Sequence, residues 1–324
     1  MLARLLRFTY LVQFLTGALI GTWGAAEWAP TWGAASLALI VLVGFGWILF
    51  WQAVVIGMPM LQSRAAGPLR PWLRATWGEF KAALLIFGLR MPWTWSNPGI
   101  LMPTGQPAAG KTALPVLLVH GFLCNHRVWD KVAQALRQAG HTVLTVDLEP
   151  IFTSIDEYAP QIERAIATLR SQTAAHKVVL VGHSMGGLVI RAWLRAYGAQ
   201  QAAKIITLGT PHHGTQAKQW MATTNGAQMK WQSAWLSELE LAESPSTRQL
   251  MQLAHTFHDN IVHPQREKIL EGAGVTEFSA IGHLQMCLND GVIAWLLREV
   301  AASDGNIDPN ELRQQTIATG KPTT

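Results

Sequence analysis

The chain has 324 residues, a length that fits one large domain or two of medium size. Its net charge of +5 belongs to the N-terminal third, where the first 110 residues carry seven cations against two acids and the remaining 18 of each sign cancel. Such a localised excess does not indicate a nucleic-acid partner. Two cysteines, Cys124 and Cys287, are too few for a disulfide framework and leave the redox compartment undecided. Tryptophan (15) outnumbers tyrosine (3), which is unusual for a soluble domain.

Two uncharged apolar stretches open the chain, residues 8–26 and 33–57. Each has the length of about 20 residues that a helix needs to cross a bilayer. Residues 27–32 join them in a short turn that carries two tryptophans, which fits the aromatic belt of a membrane interface. Residues 1–60 are therefore predicted to form a transmembrane helical hairpin.

Two alternatives to the hairpin stay open. The first stretch, with its basic start and the small residues 24–26, also fits a cleaved signal peptide, although the second stretch then becomes a stop-transfer segment. A buried hairpin of a soluble protein is the other alternative, but uncharged runs this long are rare in soluble cores. Arginines flank both outer ends of the hairpin, whereas its turn is acidic. This charge distribution predicts the bacterial inner membrane as location, with both termini in the cytoplasm.

Residues 61–114 are predicted to be a membrane-proximal segment and linker. The part from 75 to 91 mixes large apolar residues with Lys81 and Arg90, as an amphipathic helix on the membrane surface or a helix packed on the following domain would. Residues 92–115 are rich in Pro, Gly and Thr and are expected to be irregular.

A phosphate-binding motif, G-x-x-x-x-G-K-T, occurs at residues 105–112 of this linker. Its chemistry requires a strand before it and a helix that begins at the Lys-Thr pair. Here a proline-rich loop precedes it, and Pro115 followed by an apolar strand leaves no room for that helix. We therefore interpret the match as fortuitous.

From residue 116 to 208 short apolar runs alternate with helical periodicity, which predicts a parallel sheet with helices on both faces. The predicted strands are 116–119, 142–146, 178–181 and 205–208, and the predicted helices are 128–139, 156–171 and 188–197. The carboxyl ends of such strands form the edge at which active sites lie.

The sequence Gly182-His183-Ser184-Met185-Gly186 links a predicted buried strand to a predicted helix. A serine in G-x-S-x-G at this junction is typical of the nucleophile elbow, in which a tight turn lifts the hydroxyl clear of the sheet. A side chain at 182 or 186 is expected to collide with the neighbouring backbone. The backbone amides of Met185 and Phe122 are the candidate oxyanion donors, because they follow the nucleophile and the first strand respectively.

Five motifs, VHGF, GHSMGG, LGTPHHGT, FHDNIVHP and IGHL, together resemble the bacterial triacylglycerol lipase and esterase branch of the α/β-hydrolase superfamily. The likeness covers about residues 115–300. It implies an α/β-hydrolase fold, here at residues 115–302 after the transmembrane hairpin, and ester hydrolysis through a Ser-Asp-His triad. Asp259 also matches the D-x-x-V-x-P loop of that family.

The triad order in this fold is serine, acid, histidine. Asp259 is the candidate acid because it follows the apolar run 250–257, whereas Glu238, Glu240 and Glu243 fall in a helical insertion. Two further glutamates, at 267 and 271, are predicted to lie on a helix face. The candidate base is His283, which follows a predicted strand at 275–281 and would take the Ser184 proton. Asp147 precedes Ser184 and breaks the order.

The other histidines are not assigned a catalytic role. The set His255, His258, Asp259 and His263 resembles a metal site, but strand residues three apart, such as His255 and His258, point to opposite faces, and no metal is predicted. His212 and His213 are expected to form loop hydrogen bonds, and His183 to pack beside the elbow.

Residues 216–249 form a long apolar insertion, which predicts either a cap that shapes an acyl pocket or helices that complete the core. Residues 303–324 are predicted to be a polar, frayed tail. We expect a membrane-anchored esterase or lipase with a cytoplasmic catalytic domain, no cofactor, and a lipid or small ester substrate. An acyltransferase or thioesterase with the same triad, and a non-catalytic binding protein, are the alternatives. The oligomeric state is left open.

Overall fold

A seven-stranded sheet lies at the centre of the computed structural model, which describes residues 1–28, 33–94, 99–217, 222–265 and 269–306. The strands are β1 (Ile100–Leu101), β2 (Lys111–Thr112), β3 (Val116–Val119), β4 (Val143–Val146), β5 (Val178–His183), β6 (Ala202–Leu208), β7 (Met251–Thr256), β8 (Gly274–Phe278) and β9 (Gly305–Asn306). The main sheet has the order β1-β4-β3-β5-β6-β7-β8, and all its neighbours are parallel except β1 beside β4. The predicted parallel sheet is confirmed.

Helices cover both faces of this sheet. The α-helices of the described residues are α1 (Leu2–Trp28), α2 (Ala34–Gln62), α3 (Leu69–Ala83), α4 (Asp130–Gln138), α5 (Ala159–Thr173), α6 (Met185–Tyr197), α7 (Thr224–Gln228), α8 (Ala234–Ala242), α9 (Pro245–Gln249) and α10 (Asp290–Ala301), of which α1 and α2 pack mainly on each other. Along β3, Val116 and Leu118 face the core beneath α3, α4 and α10, whereas Leu117 and Val119 face α5, α6 and α8. This alternation is the period of two that a strand imposes.

Two of the predicted helices begin as 3₁₀ turns. Asn125 and Ser154 each accept a hydrogen bond from the backbone amide two residues ahead, and the turns they open lead into α4 and α5. These side chains act as N-caps, which is why the helices begin where they do. The strand predicted at 275–281 is shorter than expected, since β8 ends at Phe278.

Helices α1 and α2 form an antiparallel pair that is long and apolar enough to cross a membrane, over Leu2–Glu27 and Ser36–Gln62. Only 11% of each apolar segment is buried, unlike a helix in the core of a soluble domain. The pair packs closely at glycines, since a Cβ on Gly17 would lie 2.6 Å from Cβ of Trp47. Residues 29–32 of the predicted turn lie outside the described residues.

Helix α3 begins at Leu69, earlier than the predicted start at 75, and runs on as a π-helical segment, Leu84–Arg90. Of the two predicted placements, the structure shows the one on the following domain. Ala75, Ala82 and Ile86 are fully or almost fully buried against the sheet. The opposite side of the helix carries exposed Trp77.

The predicted linker and tail contain more order than expected. Ile100–Leu101 adds an antiparallel edge strand to the sheet, and Lys111–Thr112 pairs with Gly305–Asn306. The phosphate-binding motif therefore ends in a strand, not in a helix, so its required context is absent from the fold. The frayed tail predicted from residue 303 is wrong for its first four residues, and residues 307–324 lie outside the described residues.

Candidate functional site

Ser184 occupies a sharp turn between β5 and α6. Its backbone φ of 55° and ψ of −127° lie in a region that non-glycine residues rarely adopt. The turn is held by the Ser184 amide, which donates to the Leu208 carbonyl at 2.8 Å, and by the Thr210 hydroxyl, which donates to the Ser184 carbonyl at 2.9 Å. Strain at a residue so firmly held is typical of functional sites.

The two flanking glycines are required by close backbone contact. A Cβ on Gly182 would lie 2.5 Å from the Gly187 nitrogen, and one on Gly186 would lie 2.1 Å from the Val119 carbonyl oxygen. The collision expected from the sequence is confirmed at both positions.

His283 and Asp259, which are 24 residues apart, meet in a hydrogen bond at the carboxyl ends of β7 and β8. Nδ1 of His283 lies 3.0 Å from Oδ2 of Asp259, and both side chains are buried. Because a carboxylate accepts, Nδ1 carries the proton and Nε2 keeps a lone pair. The predicted acid and base are therefore brought together, with the tautomer that proton abstraction requires.

Asp259 is surrounded by donors. Its Oδ1 accepts from the backbone amides of Ile261 and Val262 at 2.9 and 2.7 Å, while Oδ2 faces His283. Its carbonyl oxygen accepts from the amide side chain of Gln265 at 2.9 Å. Three donors around a fully buried carboxylate satisfy its oxygens and fix its orientation toward His283.

Four glutamates that follow Ser184 in the described residues have partners elsewhere. Glu243 forms a buried ion pair with Arg191, Glu238 and Glu240 lie beside other basic side chains, and Glu277 lies 3.8 Å from His255. Glu271 lies in a turn, so its predicted position on a helix is wrong, and Glu267 lies outside the described residues.

Asp147, at the end of β4, is engaged with His126, whose backbone amide and ring Nδ1 contact its Oδ1 at 2.7 and 3.0 Å. Burial raises the pKa of Asp147, but the hydrogen bond from His126 and the charges of His120 and His126 outweigh it, and the net shift is downward.

His183 packs beside the elbow as expected. Its Nε2 donates to the His283 carbonyl at 3.2 Å, and the two rings lie 4.7 Å apart. Burial, reinforced by the neighbouring His283, lowers the pKa of His183 to about 3. A neutral His183 thus supports the backbone of His283 without adding a second positive charge to the site.

The loop after β3 passes directly over the serine. A Cβ on Gly121 would lie 2.8 Å from Cβ of Ser184, so only glycine fits. His120 fixes this loop, because its Nε2 accepts from the Leu148 amide at 3.0 Å and its Nδ1 donates to the Gly121 carbonyl at 2.8 Å. Phe122, one of the predicted donors, follows Gly121. Met185, the other, is the first residue of α6, where amides lack intrahelical acceptors.

Glu79 of α3 is a site residue that the sequence did not single out. It is 1% exposed, and its two oxygens accept from the backbone amides of Leu284 and Gln285, each at 2.9 Å. Burial raises its pKa, against the opposing effects of His283 and of these amides. The one indication in the sequence is the scarcity of acidic residues in this part of the chain, since Glu27 is the only other acid before residue 110.

Ser184 and His283 line one cavity of about 680 Å³, together with Gly121, Phe122 and Glu79. Residues of α1 and α2 line the same cavity. The cavity is mainly apolar, as sites for hydrophobic ligands are.

The described part of the insertion at 216–249 packs mainly on the core around α6 and contributes little to the cavity. Leu236 and Leu239 are buried in the core that α6 shares, and Trp235 donates to Asp156 at 2.8 Å. Among the described lining residues, Met229 alone comes from the insertion. Trp220 and Met221, which also motivated the cap interpretation, lie outside the described residues.

The remaining histidines form local contacts. His212 Nε2 lies 3.0 Å from the Thr207 hydroxyl, and His213 Nε2 donates to the Ile269 carbonyl, as expected of loop hydrogen bonds. His258 Nδ1 accepts from the Ala280 amide at 3.1 Å. Within the described ranges no group of three His, Cys, Asp or Glu side chains is placed to hold a metal ion.

Residues 115–265 match the sequence model of a family described as alpha/beta hydrolase fold. The chain is 30% identical over 113 residues to a triacylglycerol lipase of Pseudomonas fragi, which covers 32% of this chain and 37% of that protein. It is 33% identical over 114 residues to a triacylglycerol lipase of Pseudarthrobacter phenanthrenivorans, with coverages of 32% and 35%. This chain therefore spans little more than a third of the length of these relatives.

Among solved structures, the mature form of Bacillus licheniformis lipase BlEst2 superposes with a TM-score of 0.52 at 19% identity. The superposition covers 62% of this chain and 99% of that one. At this identity the likeness concerns the fold.

Proposed function

We propose that this chain, an α/β-hydrolase by fold, is a membrane-anchored serine hydrolase that cleaves carboxylic esters, with lipids among its substrates. The observation that carries the proposal is the hydrogen bond between His283 and Asp259, in a site where His283 and Ser184 line the same cavity. The relatives named as triacylglycerol lipases support ester hydrolysis as the reaction class.

The chemistry follows from the tautomer of His283. Its free Nε2 takes the proton of the Ser184 hydroxyl while Oγ attacks the ester carbonyl, and Asp259 stabilises the imidazolium that forms. The negative charge that develops on the carbonyl oxygen is met by the amides of Phe122 and Met185. The imidazolium then protonates the departing alcohol, and water attacks the Ser184 ester by the same steps. These residues supply the whole reaction, so no cofactor is required.

Membrane anchoring is supported by α1 and α2, whose length fits a bilayer and whose apolar surface stays largely exposed. It is also supported by the arginines at the outer ends of the hairpin, which favour a cytoplasmic position of the hydrolase. The site then lies at the inner surface of the membrane, in contact with the lipid pool of that leaflet.

The test is covalent labelling of the purified full-length protein with a fluorophosphonate, combined with hydrolysis of p-nitrophenyl butyrate. Ser184→Ala should abolish labelling. Each of Ser184→Ala, Asp259→Asn and His283→Ala should lower the hydrolysis rate by roughly three orders of magnitude or more, and the effects of combined substitutions should not be additive. Asp147→Asn is the matched control, because it removes a carboxylate at another strand end and should retain most of the rate.

Near wild-type hydrolysis by Asp259→Asn would mean that another acid serves His283. Labelling that survives in Ser184→Ala would refute the assignment of the nucleophile. A faster turnover in the presence of a competing alcohol or thiol, with the acyl ester or thioester as product, would assign the same triad to acyl transfer.

A further inference from the structure

One wall of the cavity that Ser184 lines is built by the N-terminal hairpin. Helix α1 contributes one side of this wall, including Tyr10, and α2 contributes the other, from Trp51 to Gln62. The insertion at 216–249, predicted as a cap, contributes only Met229 within the described ranges. Much of the cavity lining therefore comes from the segment that is proposed to lie in the membrane.

We propose that this hairpin wall is the acyl-binding site: the acyl chain of a membrane lipid ester lies along α2, with its carbonyl at Ser184 and its methyl end toward Tyr10 and Gln52. The inference rests on the proposed function and adds to it the substrate class, an ester with one long acyl chain taken directly from the bilayer.

The dimensions of the wall agree with this occupant. Trp51 and Gln62 are eleven residues apart, which corresponds to about 16 Å of α-helix. The hydrocarbon core of a bilayer is about 30 Å thick, so one acyl chain in one leaflet spans about half of it. The lined length of α2 thus equals the depth of a single lipid chain.

The exposed apolar surface of the wall also fits an acyl chain as its occupant. Val55 and Met58 line the cavity and are nevertheless 58% and 54% exposed, so the chain covers neither with side chains of its own. Exposed apolar surface beside a nucleophile favours an apolar ligand. At the far end the Gln52 amide donates to the Tyr10 hydroxyl at 2.9 Å, and this polar pair marks where an apolar chain stops gaining from burial.

The test compares two esters that differ only in acyl length, p-nitrophenyl butyrate and p-nitrophenyl palmitate, with full-length protein in detergent micelles. Val55→Trp fills the part of the cavity beside the hairpin wall. It should lower kcat/KM for the palmitate by about tenfold or more, while kcat/KM for the butyrate stays within about twofold of the wild-type value. Ala53→Trp is the matched control, because Ala53 lies on the same helix, is exposed and does not line the cavity. It should change neither value.

Equal effects of Val55→Trp on both esters, or no effect on either, would overturn the acyl-site assignment while hydrolysis by the wild type leaves the proposed function standing. Met58→Trp, which fills the same wall one turn further along α2, repeats the comparison if Val55→Trp does not accumulate. Absence of both hydrolysis and fluorophosphonate labelling in the wild type would refute the proposed function itself.

Discussion

Removing the carboxylate of Glu79, whose oxygens accept hydrogen bonds, should loosen the loop that holds His283. Glu79 is buried, and its carboxylate accepts from two consecutive backbone amides, those of Leu284 and Gln285, at 2.9 Å each. Hydrogen bonds to a charged group contribute about 1.5–3 kcal/mol each, and buried amides without an acceptor are unfavourable. Glu79→Ala should therefore lower the free energy of unfolding by about 3–6 kcal/mol.

Glu79→Gln is the more informative variant. Its amide keeps one acceptor but turns an NH₂ group toward the second backbone N–H, so it should lower stability by about 2 kcal/mol. The loop begins directly at His283, and a displacement of about 1 Å in a catalytic group can lower a rate about a hundredfold. We expect kcat for p-nitrophenyl butyrate to fall by about ten- to a hundredfold with little change in KM.

The assay is steady-state hydrolysis together with urea unfolding of the same preparations. Glu277→Gln serves as the control, since the side chain of Glu277 is 54% exposed at the surface of β8 and should tolerate the change. Wild-type kcat and stability in Glu79→Gln would show that the two amides do not depend on this carboxylate, and the reasoning from burial would be wrong.

Two further predictions concern pH and topology. Since the pKa of His183 is lowered from 6.5 to about 3, the unfolded state binds more protons in that range, and stability should fall with decreasing pH by up to about 1.4 kcal/mol per unit. His183→Gln should flatten this slope in urea unfolding measured from pH 7 to about 4, and an unchanged slope would assign the protons to other groups. In a background free of Cys124 and Cys287, a membrane-impermeant maleimide applied to intact cells should label Glu27→Cys and spare Ala302→Cys. The reverse labelling pattern would place the hydrolase on the outer side.

The elbow was predictable because its constraints are local. The glycines at 182 and 186 are demanded by backbone contacts below 3 Å within or next to the turn, and such contacts leave a fixed spacing in the sequence. That Asp259 and His283 lie close together was predictable for a different reason: the carboxyl ends of parallel strands meet at one edge, so chain order and strand ends restrict which acid and which histidine can meet.

The hairpin wall and Glu79 were not predictable in the same way. Residues 33–57 are apolar on every side, so no periodicity marks the face of α2 that turns toward Ser184. Glu79, in turn, lies in a segment whose mixed composition allowed two placements, and only the packing of α3 against the turn that follows His283 decides that this acid is buried. Both features depend on contacts between segments far apart in the chain, and neither leaves a local pattern.

These two features belong to one chain of contacts between the N-terminal hairpin and the candidate site. The Trp72 indole donates to the Met60 carbonyl at 3.1 Å, which joins α3 to the end of α2. The Gln265 side chain contacts both the Ser63 carbonyl, at 2.8 Å, and the Asp259 carbonyl, at 2.9 Å. The end of the hairpin is thus tied to the loop of Asp259 through Gln265 and, through α3 and Glu79, to the loop that begins at His283. A hairpin that served only as an anchor would need none of these contacts, because a flexible linker holds a domain at a membrane equally well. Their presence favours a hairpin that is part of the catalytic unit, which is the arrangement that an acyl site on α2 requires.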